Sequence, residues 1–571
     1  MRWLQRSTDP TIVESLTRDA GLDPVVARIL AARGIVTSED AHGFLNPSLA
    51  GLHSPYLMSG LRTAVDRLRA AIERQETVFI YGDYDVDGTT AIVILKTALE
   101  LCGGLVEYHV PHRIREGYGM RDEVIEQAAA SGSRLIISVD TGIRAFAAAE
   151  AAGRCGVDLI VTDHHLPQAE GVPKAIAVVN PNQPGCEYPC KALCGAGVAF
   201  KIAQALLEAT GRERLLASFL KIVAIATIAD SVPLIGENRI FAKLGLEGLR
   251  HPRNAGLKAL LASSSLDGAR PLSAGDIAFR VAPRLNAAGR MDIAARVIDL
   301  FTERDEARAA EIATKLSELN GDRQFTEQRI LEEIFRRIDA APEWKDAYSL
   351  VVDGENWHRG VIGICATRVV ERYHRPALVF SCENGEAHGS GRSIEAFHLL
   401  DALESCASLF TRFGGHAHAV GCALPADRLP ELRSRMEAYA RAHLSAQDLV
   451  PVLDYDCEIS IDEANHRLWQ TLARLEPFGV ANPRPTFVTR GVKLLYPPKY
   501  MKEIHVKLRV TNGAQRPQDV LGWRMAQHAT AKSLVAGDML DLAFTLDYNF
   551  NPDFGGVQLT LSDFERTAGA T

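Results

Sequence analysis

Residues 78–94, VFIYGDYDVDGTTAIVI, join a short β-forming apolar run to a second apolar run of helical character through an acidic turn. Three aspartates, Asp83, Asp85 and Asp87, stand at alternate positions in this turn, and Gly88 follows them. Carboxylates this close together repel one another, so either a cation or exposure to water must relieve the repulsion. The stretch predicts a strand that ends in a charged turn at the start of a helix.

The same succession of a short apolar run and a helical segment continues from about residue 60 to about residue 180. The predicted strands lie in ETVFIYGD, VEYHVP, RLIISVD, DLIVTDHH and AIAVVNP. Continuous apolar strands separated by helices indicate a parallel sheet covered on both faces, so the predicted fold class is α/β. Ligands of such sheets bind beyond the carboxyl ends of the strands.

Calcium binding by an EF-hand is the first alternative for the acidic turn, because that loop also opens with the pattern D-x-D-x-D-G. The loop needs an acidic residue at its twelfth position, which here is Ile94. A strand rather than a helix also leads into the turn. Both observations exclude an EF-hand, and a solvated loop remains the alternative for this stretch taken alone.

Two later strands also end in acids or imidazoles. LIISVDTG brings Asp140, and LIVTDHH brings Asp163, His164 and His165. Because the carboxyl ends of parallel strands meet at one edge, these groups and the three aspartates are predicted to form a metal site. Carboxylate oxygens with one or two imidazoles suit Mn²⁺ or Mg²⁺, and the number of acids indicates two ions.

Changes in pattern along the chain predict five parts. They are an N-terminal helical extension (1–50), the α/β domain (51–302), a long connector helix (303–342), a second α/β domain (343–448) and a β-barrel (449–571). The connector carries isoleucines and leucines at mainly three-to-four spacing among charges, as an amphipathic helix does. The last part has strands without long helices between them.

Composition excludes several classes of protein. A composition of 47% hydrophobic and 23% charged residues is typical of a globular protein. The net charge of −8 does not decide whether the protein binds nucleic acid. There is no signal-peptide pattern and no run of about 18 apolar residues, which predicts a cytoplasmic protein. Cys186, Cys190 and Cys194 are spaced four apart, which favours ordinary thiols over a zinc site.

The motifs DYDVDG, VDTG, VTDHH and IADSVPL, in this order, resemble those of the DHH phosphoesterase superfamily. AHGSGRSIEAFHLL and FGGHAHAVG resemble its DHH-associated substrate domain. The resemblance implies that Asp85 and Asp140 hold one ion and that Asp87, Asp140, His164 and Asp230 hold the second, with Asp140 bridging. It also implies catalytic roles for Asp83 and His165, which would support the site or touch the scissile phosphate.

Substrate-binding residues are expected in both lobes. Ser390, Arg392 and the glycine N–H groups of GSGRS could hold a terminal phosphate, with a glycine turn at FGGHAH. Arg113 and Tyr118 could grip a strand end by charge and stacking. The resemblance adds positions in RVAPRLNAAGRM, WHRGVIG and FGGH, namely Arg284, Arg290, His358, Arg359, Gly414, Gly415 and His416.

The β-barrel resembles an oligonucleotide-binding fold, and its basic stretch Lys499, Tyr500, Lys502, Lys507 and Arg509 favours a long polymer as substrate. Together with the resemblance this predicts a 5′ to 3′ exonuclease that degrades single-stranded DNA to 5′-mononucleotides in repair and recombination. The resemblance alone supplies the polarity. It also suggests a monomer with single-strand-binding protein and a RecQ-type helicase as partners.

Two other functions stay open from the sequence. One is a phosphodiesterase of the same superfamily that cleaves short oligoribonucleotides or cyclic dinucleotides, which would not obviously need the β-barrel. The other is a non-catalytic replication or repair scaffold of the same fold. Scaffolds of this kind lose metal ligands, whereas every matched acid and histidine is present here.

Overall fold

In the computed structural model, which describes residues 1–268, 270–513, 516–551 and 555–567, the stretch 78–94 forms one central strand and the start of the helix after it. A strand β1 (Arg2–Gln5) and the helices α1 (Pro10–Asp19), α2 (Pro24–Ala32) and α3 (Ser38–Leu45) precede it. The segment predicted as a helical extension therefore also contains a strand.

The first lobe contains the predicted parallel sheet. Its strands are β2 (Thr77–Tyr81), β3 (Leu105–His109), β4 (Leu135–Ser138), β5 (Asp158–Thr162) and β6 (Ala177–Val179). Its helices are α4 (Leu61–Glu73), α5 (Val86–Leu101), α6 (Asp122–Ala130), α7 (Phe146–Cys155), α8 (Gly195–Ala209), α9 (Leu220–Ala229), α10 (Gly236–Leu249), α11 (Ala255–Ser263), α12 (Ala274–Asp276), α13 (Ala282–Met291) and α14 (Ala295–Thr302). A π-helical turn, Ile277–Val281, joins α12 to α13.

All five strands of this sheet are parallel, in the order β3-β2-β4-β5-β6. The α/β prediction is confirmed. Helices cover both faces: α5 and α8 pack in the largest core with Ile80 and Ile137, whereas α6 and α7 pack on the other side around Ile136 and Val161. The carboxyl ends of β2, β4 and β5 consequently open onto one edge, as the acidic motifs require.

The long connector is one helix, α15 (Glu306–Ala340), which leads into the second lobe. That lobe contains α16 (Pro342–Lys345), β7 (Leu350–Glu355), α17 (Ile362–Tyr373), β8 (Ala377–Glu383), β9 (Glu386–Arg392), α18 (Leu399–Glu404), β10 (Arg412–His416), β11 (Ala419–Pro425) and α19 (Leu429–His443). Its sheet has the order β10-β11-β9-β8-β7, and only β7 and β8 are parallel. The segments GSGRS and FGGH, the second of which we predicted as a turn, lie on β9 and β10.

The C-terminal part is a closed β-structure. It contains β12 (Val452–Tyr455), β13 (Cys457–Glu458), α20 (His466–Ala473), β14 (Thr486–Leu494), β15 (Lys499–Met501), β16 (His505–Thr511), β17 (Gln518–Gly522), α21 (Ala526–Ala531), β18 (Met539–Asn549) and β19 (Gly556–Arg566). Seven strands pair in the order β13-β14-β18-β19-β17-β16-β15, and a further pairing of β14 with β16 closes the barrel. The predicted barrel is confirmed.

The N-terminal helices share a hydrophobic core with this barrel. Leu16, Ile29 and Leu30 are buried in the same cluster as Leu472 and Phe544. At the edge, β1 pairs in parallel with β12, and the Arg28 guanidinium donates to the carbonyl of Asp456 over 3.1 Å. The two ends of the described chain therefore form one structural unit.

Two expectations from composition can be compared with the structure. All ten cysteines are free, and Cys186 and Cys194 are buried as ordinary thiols. Among the described residues, no helix combines the length and apolarity needed to cross a bilayer.

The shared core predicts that a mutation in α2 destabilises the barrel. Leu30→Ala should lower its free energy of unfolding by about 2–5 kcal/mol, because the fully buried side chain leaves a cavity between α2 and the barrel. Leu49→Ala is the control, since Leu49 is 39% exposed and should cost less than about 0.5 kcal/mol. Urea unfolding followed by circular dichroism measures both, and equal losses would contradict the shared core.

Candidate metal centre and substrate cleft

The acidic motifs converge at the carboxyl edge of the parallel sheet. Three groups could each hold a cation, with ligand atoms within 4.8 Å of one another. They are Asp83, Asp85 and Asp140; Asp87, His164 and Asp230; and Asp140, His164 and His165. The structure thus brings together every residue that we proposed as catalytic, and Asp140 and His164 each belong to two groups.

The helix that follows the acidic turn holds Asp85 in place, and the start of α8 holds Asp87. Asp85 is the N-cap of α5 and accepts a hydrogen bond from the Gly88 N–H over 3.0 Å. Asp87 accepts from the N–H groups of Gly195 (2.6 Å) and Ala196 (2.8 Å). A helix N-terminus favours a carboxylate, so α8 orients this side chain toward the site.

Asp140 has an unusual backbone conformation. Its φ of 59° lies in the left-handed region, which few residues other than glycine and asparagine adopt at low cost. A Cβ atom on Gly195 would lie 2.5 Å from Asp140 Oδ1, so the glycine leaves space for this carboxylate. The surrounding structure accordingly imposes the position of Asp140.

His164 is the imidazole at the centre of the cluster. Its Nε2 lies 3.2 Å from Asp140 Oδ1, 3.7 Å from Asp87 Oδ2 and 3.9 Å from Asp230 Oδ2. Burial lowers the pKa of His164 even though Asp87 acts in the opposite direction. The ring is therefore neutral at pH 7, which is the form that coordinates a metal.

Asp163 orients the histidine pair from behind. Its carboxylate accepts from the backbone N–H of Ile143 (2.9 Å), of His164 (2.7 Å) and of His165 (3.1 Å). His165 Nδ1 also lies 2.7 Å from Asp163 Oδ1, and the Tyr118 hydroxyl lies 3.2 Å from the same nitrogen. Burial alone would raise the pKa of Asp163. The contacts with His165 and the Ile143 N–H together outweigh burial, so the pKa of Asp163 is lowered.

The protein relieves only part of the electrostatic repulsion in the cluster. Burial first, and neighbouring carboxylates second, raise the pKa values of Asp83, Asp85 and Asp140, and raise the pKa of Asp230 to about 9. Within the described ranges, the buried Oδ1 atoms of Asp83 and Asp140 accept no hydrogen bond. Unpaired buried carboxylates of this kind fit hard divalent cations.

A cleft of about 570 Å³ lies beside the cluster, between the two lobes. Of the proposed substrate-binding residues, its walls include Arg113, Tyr118, Arg359, Ser390 and Gly414. His416 lines a neighbouring cavity of about 390 Å³ together with Tyr118 and His165. GSGRS and FGGH lie on paired strands, so Gly389, Ser390 and Gly414 line the cleft from a sheet rather than from a glycine turn.

Several guanidinium groups lie in or beside this cleft. The Arg392 guanidinium donates to Ser390 Oγ over 3.3 Å. Burial lowers the pKa of Arg392, and the nearby charge of Arg113 lowers it further. Burial and Arg113 also lower the pKa of Arg290 to about 9, while Arg290 donates to the Gly360 carbonyl over 2.8 Å. Three buried or half-buried cations so close together favour an anionic ligand.

Three proposed substrate residues have other contacts. Arg284 donates to Ser317 of α15 over 3.1 Å. The His358 ring accepts from the Gly360 N–H over 3.1 Å and so fixes a turn beside the cleft. Gly415 adopts a φ of 145° on β10, where a side chain would meet the Ala419 carbonyl.

Some residues of the cleft and cluster were not predicted. Tyr84, His388 and Arg412 line the cleft. Arg412 stands two positions before Gly414 on the same strand, so strand alternation could have indicated it. Apart from the glycine at position 195, nothing in the sequence indicated that the N–H groups of Gly195 and Ala196 bind Asp87.

An α/β sheet with an acid- and histidine-rich edge, joined by a helix to a second lobe that completes the adjacent cleft, defines a phosphoesterase of the DHH superfamily. Comparison with known families agrees: residues 77–227 match the DHH family, N-terminal domain, residues 346–442 match the DHHA1 domain and residues 455–563 match the RecJ OB domain. The chain belongs to the RecJ family.

Relatives and solved structures cover most of the chain. The single-stranded-DNA-specific exonuclease RecJ of Bacillus subtilis is 36% identical over 96% of this chain and 69% of its own length. The single-stranded-DNA-specific exonuclease RecJ of Escherichia coli is 35% identical over 87% of this chain and 88% of its own length. The crystal structure of RecJ from Thermus thermophilus in complex with Mn²⁺ matches with a TM-score of 0.85 and 29% identity, covering 100% of this chain and 80% of that one.

The unrelieved repulsion predicts a pH dependence of stability in chelator. Between the ordinary Asp pKa of 3.8 and the raised value of about 9 for Asp230, the folded state binds more protons than the unfolded state. Stability in EDTA should therefore fall as pH rises from 6.5 to 8.5. Asp230→Asn should flatten this slope and the exposed control Asp427→Asn should not. Melting temperatures in EDTA measure it, and an unchanged slope in Asp230→Asn would contradict the assignment.

Proposed function

We propose that the protein is a metal-dependent exonuclease that degrades single-stranded DNA from its 5′ end and releases 5′-mononucleotides. The observation that carries the proposal is the adjacency of a cluster of buried carboxylates to a cleft lined by the guanidinium groups of Arg113, Arg359 and Arg412. Two oxygens of the cluster accept no hydrogen bond within the described residues. The names of the curated relatives, single-stranded-DNA-specific exonuclease, support the substrate. Polarity and product rest on the family resemblance.

Two divalent cations, Mn²⁺ or Mg²⁺, fit the cluster. Asp85 and Asp140 would hold one, with Asp83 beside it, while Asp87, Asp140, His164 and Asp230 would hold the other. The chemistry that such a pair supplies is activation of water as a nucleophile and neutralisation of charge on phosphoryl oxygens. The relatives solved with Mn²⁺ and with Mg²⁺ support this choice of ions.

The protein's own groups would orient the substrate around this centre. Arg113, Ser390 and Arg392 would bind the 5′-terminal phosphate through charge-assisted hydrogen bonds. That contact would leave the next phosphodiester facing the carboxylate cluster. Burial lowers the pKa of His165, but its bond with Asp163 raises it overall, so His165 would donate a hydrogen bond to a phosphoryl oxygen.

The barrel would guide the remainder of the strand. Lys499, Tyr500 and Lys502 lie at its edge, where Tyr500 is 45% exposed and available for base stacking. Lys507 and Arg509 instead approach Asp519 at 2.7 and 3.8 Å, so their charge is partly compensated. We expect the edge strand to contribute more than the inner one.

Cellular context stays a prediction from the family. It includes action in the cytoplasm on DNA that single-strand-binding protein or a RecQ-type helicase presents, and a monomeric state. A preference for long single strands over dinucleotides and cyclic dinucleotides would separate this function from that of a small-substrate phosphodiesterase.

Asp140→Asn should abolish Mn²⁺-dependent degradation of 5′-labelled single-stranded DNA. Asparagine tolerates the left-handed φ, so the fold should persist, and loss of one buried charge should raise the melting temperature in EDTA. Asp427→Asn, exposed in the second lobe, should retain full activity. Substantial turnover by folded Asp140→Asn would contradict the proposed mechanism.

Arg392→Met should reduce the preference for a 5′-phosphate over a 5′-hydroxyl by about tenfold or more, as expected from a lost charged hydrogen bond of roughly 1.5–3 kcal/mol. The ratio of kcat/KM for the two substrates measures this preference. Arg435→Met is the matched control, because Arg435 is exposed and pairs with Glu431 on α19. If Arg392→Met kept the wild-type ratio, the phosphate would bind elsewhere.

A further inference from the structure

Three consecutive polar residues at the start of α10, Glu237, Asn238 and Arg239, are almost completely buried, at 1%, 0% and 1% exposure. Charged and amide side chains are seldom buried to this extent without a specific set of partners. Neither composition nor the metal cluster accounts for them. Their contacts reach several separate segments of the chain.

Arg239 holds the N-terminal and C-terminal parts against the first lobe, whereas Glu237 joins segments within that lobe. The Glu237 carboxylate accepts from Lys201 Nζ (2.9 Å), the His53 N–H (3.0 Å) and the Tyr188 hydroxyl. The Arg239 guanidinium donates to the Phe44 carbonyl (2.6 Å) and the Glu476 carbonyl (3.0 Å). These contacts are structural, since they lead away from the carboxylate cluster.

Asn238 differs because both its partners belong to loops that carry the cluster. Its side-chain Nδ2 donates to the Ala192 carbonyl over 2.6 Å and to the Pro233 carbonyl over 3.1 Å. Ala192 stands three residues before Gly195, whose N–H binds Asp87. Pro233 stands three residues after Asp230. One amide group therefore joins the loop that orients Asp87 to the loop that carries Asp230.

From this geometry we infer that Asn238 is a positioning residue for one of the two metal ions, the one held by Asp87, His164 and Asp230. The inference rests on the proposed metal-dependent function. Asn238 touches neither ion nor substrate, and it acts by fixing the separation of the two loops. The ion on the side of Asp83 and Asp85 has ligands from the turn after β2 and should not depend on this amide.

The donor is well matched to this role. Both amide protons are used, and the Asn238 Oδ1 atom accepts no hydrogen bond within the described ranges, so the pair of donated bonds fixes the side chain. Replacing Asn238 by Ala would leave the half-buried Ala192 and Pro233 without this donor to their carbonyls and let the loops separate. Losing an outer partner of metal ligands typically weakens binding by about 10- to 100-fold.

The test is calorimetric titration of the full-length protein with Mn²⁺, without DNA, for wild type, Asn238→Ala and Asn238→Ser. Asn238→Ala should weaken one of the two binding events by about tenfold or more and leave the other within about twofold. Asn238→Ser keeps one donor and should lie between Asn238→Ala and wild type. It is also the deciding variant if Asn238→Ala does not fold.

Two controls separate positioning from general destabilisation. Leu249→Ala removes a buried side chain at the opposite end of α10 and should lower the melting temperature without changing Mn²⁺ affinity. Lys191→Met removes a donor from the same loop and should also keep the affinity, because Lys191 donates to the Pro181 and Cys186 carbonyls and not to the Ala192 or Pro233 carbonyl.

Each outcome has one meaning. Selective weakening of one event in the Asn238 variants, with both controls unchanged, supports the inference. Wild-type affinity for both ions in a folded Asn238 variant overturns it, and so does equal weakening in Leu249→Ala. Failure of the wild-type protein to bind Mn²⁺ would instead overturn the proposed function, and the inference with it.

Discussion

Repulsion among buried carboxylates is the constraint on which the rest of this structure depends. Asp83, Asp85, Asp87, Asp140 and Asp230 are held close together although their charges oppose it. The fold maintains them by backbone means: strand ends that share one edge, helix N-termini that bind carboxylates, and a left-handed residue fixed by its surroundings. Holding the carboxylates together costs electrostatic free energy, and bound divalent cations would offset that cost.

Both lobes supply the opposite charge. Arg113 of the first lobe and Arg359 and Arg412 of the second line the cleft, so a strand of phosphates would pass from a positive pocket to a carboxylate cluster. A terminal phosphate and the adjacent phosphodiester differ in what they need, the first a fixed set of donors and the second a pair of cations. In the proposed mechanism, the distance between these two binding positions would determine where the chain is cut.

The sequence could predict those features that depend on local pattern. Parallel strands followed from continuous apolar runs, and the acids after β2, β4 and β5 followed from their place at strand ends. Features that depend on distant segments could not be predicted in the same way. Asp230 lies at the end of an apolar helix, where an ordinary cap would look identical. Asn238 joins the nearby Pro233 carbonyl to the Ala192 carbonyl, which is 46 residues away in sequence. FGGH was expected as a turn because glycine pairs suggest one, but pairing with β11 makes it a strand.

The core shared by the N-terminal helices and the barrel has a consequence for synthesis on the ribosome. Arg28 and its partner Asp456 are 428 residues apart in sequence. At about 5–20 residues per second, the apolar faces of α1 and α2 would wait roughly 20–90 s for the strands that cover them. During that interval the first lobe can fold, while Leu16 and Ile29 remain exposed to solvent or to a chaperone. Completion of the barrel is therefore the event that covers the apolar faces of α1 and α2.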